Sequence, residues 1–80
     1  MLVPLYGFLQ GDSIGLLVLA HDHHRIADVA AMLQQAASVR VAPRAGARVI
    51  FAGVTLDPEI TVARAGLKAL DRVDVVGVEE

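Results

Sequence analysis

No cysteine occurs in this 80-residue chain. That excludes a disulfide framework, a thiolate metal site and a thiol nucleophile. Charge is scarce too: Asp, Glu, Lys and Arg make up 20% of the residues, and the formal net charge is −2. The seven Lys and Arg are scattered from Arg25 to Arg72. Counterion release from phosphates needs a local basic patch, so nucleic acid is not an expected partner. Long hydrophobic runs are also missing. The longest, Ile14 to Ala20, is broken by Gly15 and is far short of the ~20 residues that span a bilayer. The first residues show no basic segment followed by a cleavable apolar one. No membrane association or secretory signal is therefore expected, and a cytoplasmic location is.

What the chain has in abundance is apolar side chain, 55% of all residues. Its length suits one domain, residues 1–80, because a second hydrophobic core would have too little chain. So small a domain has much surface for its volume. Part of the apolar excess must lie outside the core, and apolar surface in excess marks an interface.

Leu2 to Leu9 and Ile14 to Ala20 are short apolar stretches separated by Gln10-Gly11-Asp12-Ser13. Turn-forming residues between two such runs predict a β-hairpin. Pro4 cannot donate to a ladder, so pairing of the first strand is expected from Leu5 onward. Ile26, Val29, Ala30, Leu33 and Ala37 then fall at helical spacing, with Asp28, Gln34 and Gln35 on the other side. Asp22 is the expected N-cap, and the helix should end near Ala37 or Ser38, before the extended backbone that Pro43 imposes on Ala42. Arg44 to Ala47 reads as a turn, Arg48 to Ala52 as a third strand, and Asp57-Pro58 as a loop. Thr61 is placed to cap one helical turn, Val62 to Ala65, which Gly66 ends. Val73 to Val78 is the last strand. A hairpin, a crossing helix and later strands fit one mixed sheet with the helix on one face, an α+β roll with first and last strands adjacent in the middle.

Catalytic chemistry finds no support in this pattern. His21, His23 and His24 around Asp22 are the only residues that suggest a metal. A solvated loop before a helix lacks the fixed geometry of a site, so no metal is expected. Ser13 and Ser38 have no base placed beside them. Asp71 with Asp74, and Glu79 with Glu80, read as solubilising carboxylates on a strand rim. The glycines follow no nucleotide-binding order, so no cofactor is expected. Arg44 reads either as an exposed turn arginine or as an interface anchor, since Arg is enriched at hot spots.

Val49-Ile50-Phe51-Ala52-Gly53, followed by Leu56 and by Thr61 opening a short turn, resembles the third-strand region of ubiquitin. That implies the β-grasp, or ubiquitin-like, form of the roll. Conjugation is not implied, because Gly77-Val78-Glu79-Glu80 lacks a diglycine tail. A second resemblance runs almost end to end. It is carried by the Pro-containing first strand, Val41-Ala42-Pro43-Arg44-Ala45-Gly46, Ile60-Thr61-Val62-Ala63 with Gly66-Leu67, and Val73-Asp74-Val75-Val76 with Glu79-Glu80. These resemble the small subunit of toluene monooxygenase hydroxylases, called system protein B or gamma. The chain departs from that pattern in a shorter loop from Gly53 to Asp57 and in fewer charges. The resemblance implies a non-catalytic subunit that docks on the large and medium subunits of a diiron hydroxylase, with the iron in the large subunit.

Two further function classes stay open: a free-standing ubiquitin-like adaptor, and, least supported, a small enzyme. Strand parity adds an expectation about the partner's site. If Val73 and Val75 face the helix, Asp74, Val76 and Val78 face away, and the ubiquitin register puts Val49 inward and Ile50 outward. The open face should then carry Ile50, Val76 and Val78 with Tyr6 and Phe8, joined by Leu17 and Leu19 or else by Leu16 and Val18. With Arg44, these are the expected interface residues.

Overall fold

Alternation of apolar residues makes the first stretch a strand, β1 (Leu2–Leu9), whose odd-numbered side chains are buried. A turn with Gly11 at φ +90° reverses the chain, and β2 (Gly15–His21) returns antiparallel. The helix α1 (Ile26–Ala36) crosses one face of the sheet. Then come β3 (Arg48–Phe51), β4 (Val54–Thr55), the single turn α2 (Val62–Ala65) and β5 (Arg72–Val76). The sheet order is β2-β1-β5-β3-β4, with β1 and β5 parallel and every other pair antiparallel. The computed structural model describes residues 1–12, 14–39, 41 and 46–77.

The core lies between helix and sheet. Ile26, Val29, Ala30 and Leu33 of α1 meet Leu5 and Leu9 of β1, Val18 and Ala20 of β2, Val49 of β3, and Val73 and Val75 of β5, all buried. Val73 and Val75 thus point toward the helix stripe, as their parity requires. Gly7 has a steric role: a Cβ there would stand 2.9 Å from both methyls of Leu33. The missing side chain lets the helix settle onto the central strand.

Pairing of β1 begins at Leu2 opposite His21, not at Leu5. Even-numbered residues of β1 turn their backbone groups toward β5. Tyr6 N–H donates to Asp71 O at 2.9 Å, and Pro4 O accepts from Leu70 N–H at 2.6 Å. The donor that Pro4 lacks therefore faces the β5 side, ahead of the first β1–β5 pair at Tyr6 and Arg72, and the ladder to β2 loses nothing.

The N-cap of α1 is Arg25 rather than Asp22. Arg25 N–H donates to the Asp28 carboxylate at 3.0 Å. The free N–H groups of the first turn go to a neighbouring loop: Ile26 N–H to Ile60 O at 2.9 Å, and Ala27 N–H to Pro58 O at 3.0 Å. That loop is capped in return, with Val62 N–H donating to His24 O at 2.8 Å and Ala63 N–H to Asp22 O at 3.0 Å. Two helix starts satisfy their orphan donors against each other's approach, so α1 manages without a Ser, Thr or Asn cap. The α2 turn is as expected, with Thr61 Oγ1 accepting from Arg64 N–H at 3.1 Å and Gly66 at φ +78°.

The third strand stops at Phe51, one residue early, because a tight hairpin follows. Phe51 pairs with Val54 across Ala52-Gly53, at φ +52° and +79°. Positive φ at both central residues is the type I′ geometry, whose twist suits antiparallel strands. The last strand ends at Val76, short of the expected Val78, because Gly77 N–H leaves the ladder and donates to Gln10 Oε1 at 2.8 Å. The expected turn at Arg44 and Ala45 and the extended Ala42-Pro43 lie outside the described residues.

Two outcomes follow for stability. Leu33→Ala should cost about 2–5 kcal/mol in denaturant unfolding, since it opens a cavity over Gly7 at the centre of the core. Ala52→Asn should raise stability by roughly 0.5–1 kcal/mol, because asparagine tolerates the left-handed region where alanine is strained.

Candidate protein-interaction surface

Two-residue periodicity sends one set of side chains away from the helix. On β1 these are Leu2, Pro4, Tyr6 and Phe8, and opposite them on β2 stand His21, Leu19, Leu17 and Gly15. On β5 they are Arg72, Asp74 and Val76, facing Arg48 and Ile50 of β3. Such an open face normally carries polar residues in water. Here it is largely apolar.

Its middle is pinned by aromatics. Tyr6 and Phe8 meet edge to face, with centroids 5.0 Å apart and planes at 70°. The Arg72 guanidinium lies 4.2 Å from the Phe8 centroid, a cation–π contact, and also reaches Asp74 Oδ1 at 3.2 Å. Gly15 makes room for the pair: a Cβ there would stand 2.7 Å from Phe8 Cζ and 2.8 Å from Tyr6 Cζ. The rings can therefore lie over β2.

The face divides into two halves. Toward β2 it is exposed and apolar, with Leu17 and Leu19 each 57% accessible and Tyr6 44%. Leu2, 49% accessible, extends this patch along β1. Toward β3 it is flatter, with Ile50 and Val76 half-buried beside the Arg72–Asp74 pair. Phe8, Gln10, Ile50, Asp74 and Val76 line a shallow depression there. Of the residues expected at an interface, Tyr6, Phe8, Ile50 and Val76 share this face. Arg44 and Val78 lie outside the described residues. The open choice on β2 resolves to Leu17 and Leu19, since Val18 is buried and Leu16 packs against the core. Gly15 was not legible as a site residue, because its role depends on rings from the neighbouring strand.

The histidines sit at the far end of β2. His21, His23 and His24 have ring centroids 5.1–5.6 Å apart. His24 Nδ1 is engaged by His21 N–H at 2.9 Å. The Asp22 carboxyl is held below its ordinary range, chiefly by a hydrogen bond from the Met1 amine at 3.1 Å. Among the described residues no group of three or more His, Asp or Glu is arranged to hold a metal ion. On the opposite side of the molecule, Ala27, Ala30, Ala31, Gln34, Arg48 and Leu56 border a shallow groove between α1 and β3.

A family model described as toluene-4-monooxygenase system protein B matches residues 2–76. No individually curated protein sequence matches the chain. Among solved structures, a chain of the toluene 4-monooxygenase HD complex with the inhibitor 4-bromobenzoate superposes with a TM-score of 0.89. Identity is 26%, over 98% of this chain and 100% of that one. Ubiquitin from Caldiarchaeum subterraneum gives a TM-score of 0.77 at 12% identity, over 100% and 98% of the two chains. The UBL domain of Plasmodium falciparum Dsk2 gives 0.75 at 16%, over 95% and 97%. The last two share the fold, which is the ubiquitin-like β-grasp.

Gly15→Ala tests the aromatic arrangement. The crowded atoms are the far ends of partly exposed rings, so the change should cost no more than about 1 kcal/mol. It should nonetheless shift the ring proton resonances of Tyr6 and Phe8. Unchanged ring resonances would show that the rings do not lie over Gly15.

Proposed function

This chain belongs to the toluene-4-monooxygenase system protein B family, and we propose that it is the small accessory subunit that docks on and stabilises the hydroxylase of such a monooxygenase. The partner in this reading is a carboxylate-bridged diiron hydroxylase of large and medium subunits that oxidises aromatic hydrocarbons. Its iron would be held by Glu and His side chains of a helical bundle in the large subunit. This chain offers no such bundle, and its part is to bind and stabilise. A cytoplasmic location goes with this role, and among the described residues no helix is long and apolar enough to cross a membrane.

The observation that carries the docking reading is the exposed apolar half of the open face. Leu17, Leu19 and Tyr6 stand together with no charged neighbour on β2. An aromatic beside aliphatic side chains, bordered by an Arg–Asp pair, has the make-up of an interface core with a polar rim. Finishing the burial of each leucine is worth on the order of 1 kcal/mol. Stabilisation of the hydroxylase then follows by mass action, as for any ligand that binds only the folded form. A free-standing adaptor has less behind it, since the ubiquitin-like neighbours below 25% identity share the fold alone.

The test is co-purification of the hydroxylase with this chain, together with the hydroxylase's thermal midpoint. The native chain should be retained and should raise that midpoint as its concentration rises. Leu19→Asp and Ile50→Asp probe the two halves of the face. Each should leave the isolated chain folded by circular dichroism and weaken retention at least tenfold, because assembly would bury an unpaired charge. Full retention of both folded variants would move the contact to the groove between α1 and β3.

A further inference from the structure

The outer edge of β2 is undefended. Sheet edges in water are usually short, or carry a lysine, a proline or a bulge that discourages pairing. The β4 edge follows that rule with two residues, Val54 and Thr55. The β2 edge is seven residues long, Gly-Leu-Leu-Val-Leu-Ala-His, and pairs with β1 in unbroken register. It carries no proline, no acidic residue and no lysine or arginine.

Which backbone groups are free follows from parity. Even-numbered residues of β1 turn toward β5, so the odd ones turn toward β2, opposite Leu16, Val18 and Ala20. Gly15, Leu17 and Leu19 therefore direct their N–H and C=O groups outward. Among the described residues none of the three makes a further backbone hydrogen bond. The edge closes at His21, whose N–H donates to His24 Nδ1 at 2.9 Å and whose C=O accepts from His24 N–H at 3.0 Å.

We propose that this edge takes a sixth strand: an extended segment of the hydroxylase partner, about five residues long and free of proline where it faces β2. The inference rests on the docking role proposed above and names the form of the contact. Donors and acceptors at every second residue are matched by extended backbone and by no helix. The side chains of Leu17 and Leu19 lie on the open face while their backbone groups lie on the edge. A strand pairing there brings the partner's body over the apolar half in the same contact. A second copy of this chain fits less well. Seven residues at ~3.4 Å each, in a layer ~10 Å thick, offer only a few hundred Å² of edge. A stable interface removes about 800 Å² per partner, roughly a sixth of this chain's 4885 Å². Edge-to-edge pairing of two copies would also leave both open faces bare.

Leu17→Pro and Leu17→Ala separate the edge from the face. Both remove the leucine side chain, but only proline removes the outward N–H, and the β1 ladder is untouched by either. Leu17→Pro should stay folded yet bind the hydroxylase at least tenfold more weakly than Leu17→Ala. Equal binding by the two overturns the strand proposal and leaves docking intact; no binding by the native chain overturns both. Should Leu17→Pro fail to fold, amide exchange in the native complex decides. The Leu17 and Leu19 amides should slow at least tenfold on assembly while those of Leu16 and Val18 change little, and unchanged exchange at Leu17 and Leu19 overturns the proposal. Self-association of the isolated chain that Leu17→Ala retains and Leu17→Pro abolishes would assign the edge to a second copy, and would also overturn it.

Discussion

The parallel contact between β1 and β5 is what the rest of the fold leans on. It sets Tyr6 beside Arg72, Gly7 beside Val73 and Phe8 beside Asp74, joining the two ends of the chain in the middle of the sheet. On the inner side it gathers Leu5, Val73 and Val75 under Leu33, which can approach because Gly7 has no side chain. On the outer side it lays the Arg72 guanidinium over Phe8. The entropy of closing so long a loop grows only slowly with length. The strands' partners are more than sixty residues apart in sequence, which makes this a non-local contact for so short a chain.

Both faces of the sheet inherit their character from that contact. The helix side is dry, with no buried polar or charged residue among those described. The other side has no helix to cover it, yet the strands crossing it are nearly as apolar. An isolated domain of this size gains nothing from leucines at Leu17 and Leu19 in water. They make sense on a molecule whose surface is completed by another. The free edge of β2 points the same way, since the same two residues supply side chains to the face and backbone groups to the edge.

Loop chemistry holds the helix end of the domain together with few side chains. The approach to α1 and the approach to α2 exchange backbone hydrogen bonds, with Arg25 bridged to Thr61. Asp28, Asp57, Thr61 and Asp71 each accept a backbone N–H within three residues, closing local turns. Three of the nine acidic residues are thus engaged in closing turns.

Sequence alone determined the order of elements apart from β4, a two-residue strand that exists only by pairing with β3, together with the helix stripe, the Thr61–Gly66 turn and the inward pair Val73 and Val75. In each case a single local rule, periodicity or capping, decides and no competing pattern exists. The residues resembling toluene monooxygenase system protein B were equally plain, because motif order survives without knowledge of contacts. Tertiary structure decided what local rules leave degenerate. Leu16 to Ala20 is apolar on both faces, so only its register with β1 settles that Leu17 and Leu19 point outward. The N-cap moved to Arg25 because the donors of α1 find carbonyls in a loop distant in sequence. Ala52 accepts a left-handed backbone because the twist of β3 and β4 demands it, although alanine by itself does not prefer it. The bareness of the β2 edge is a fact of strand order, and strand order is set by which strands pair across the whole chain.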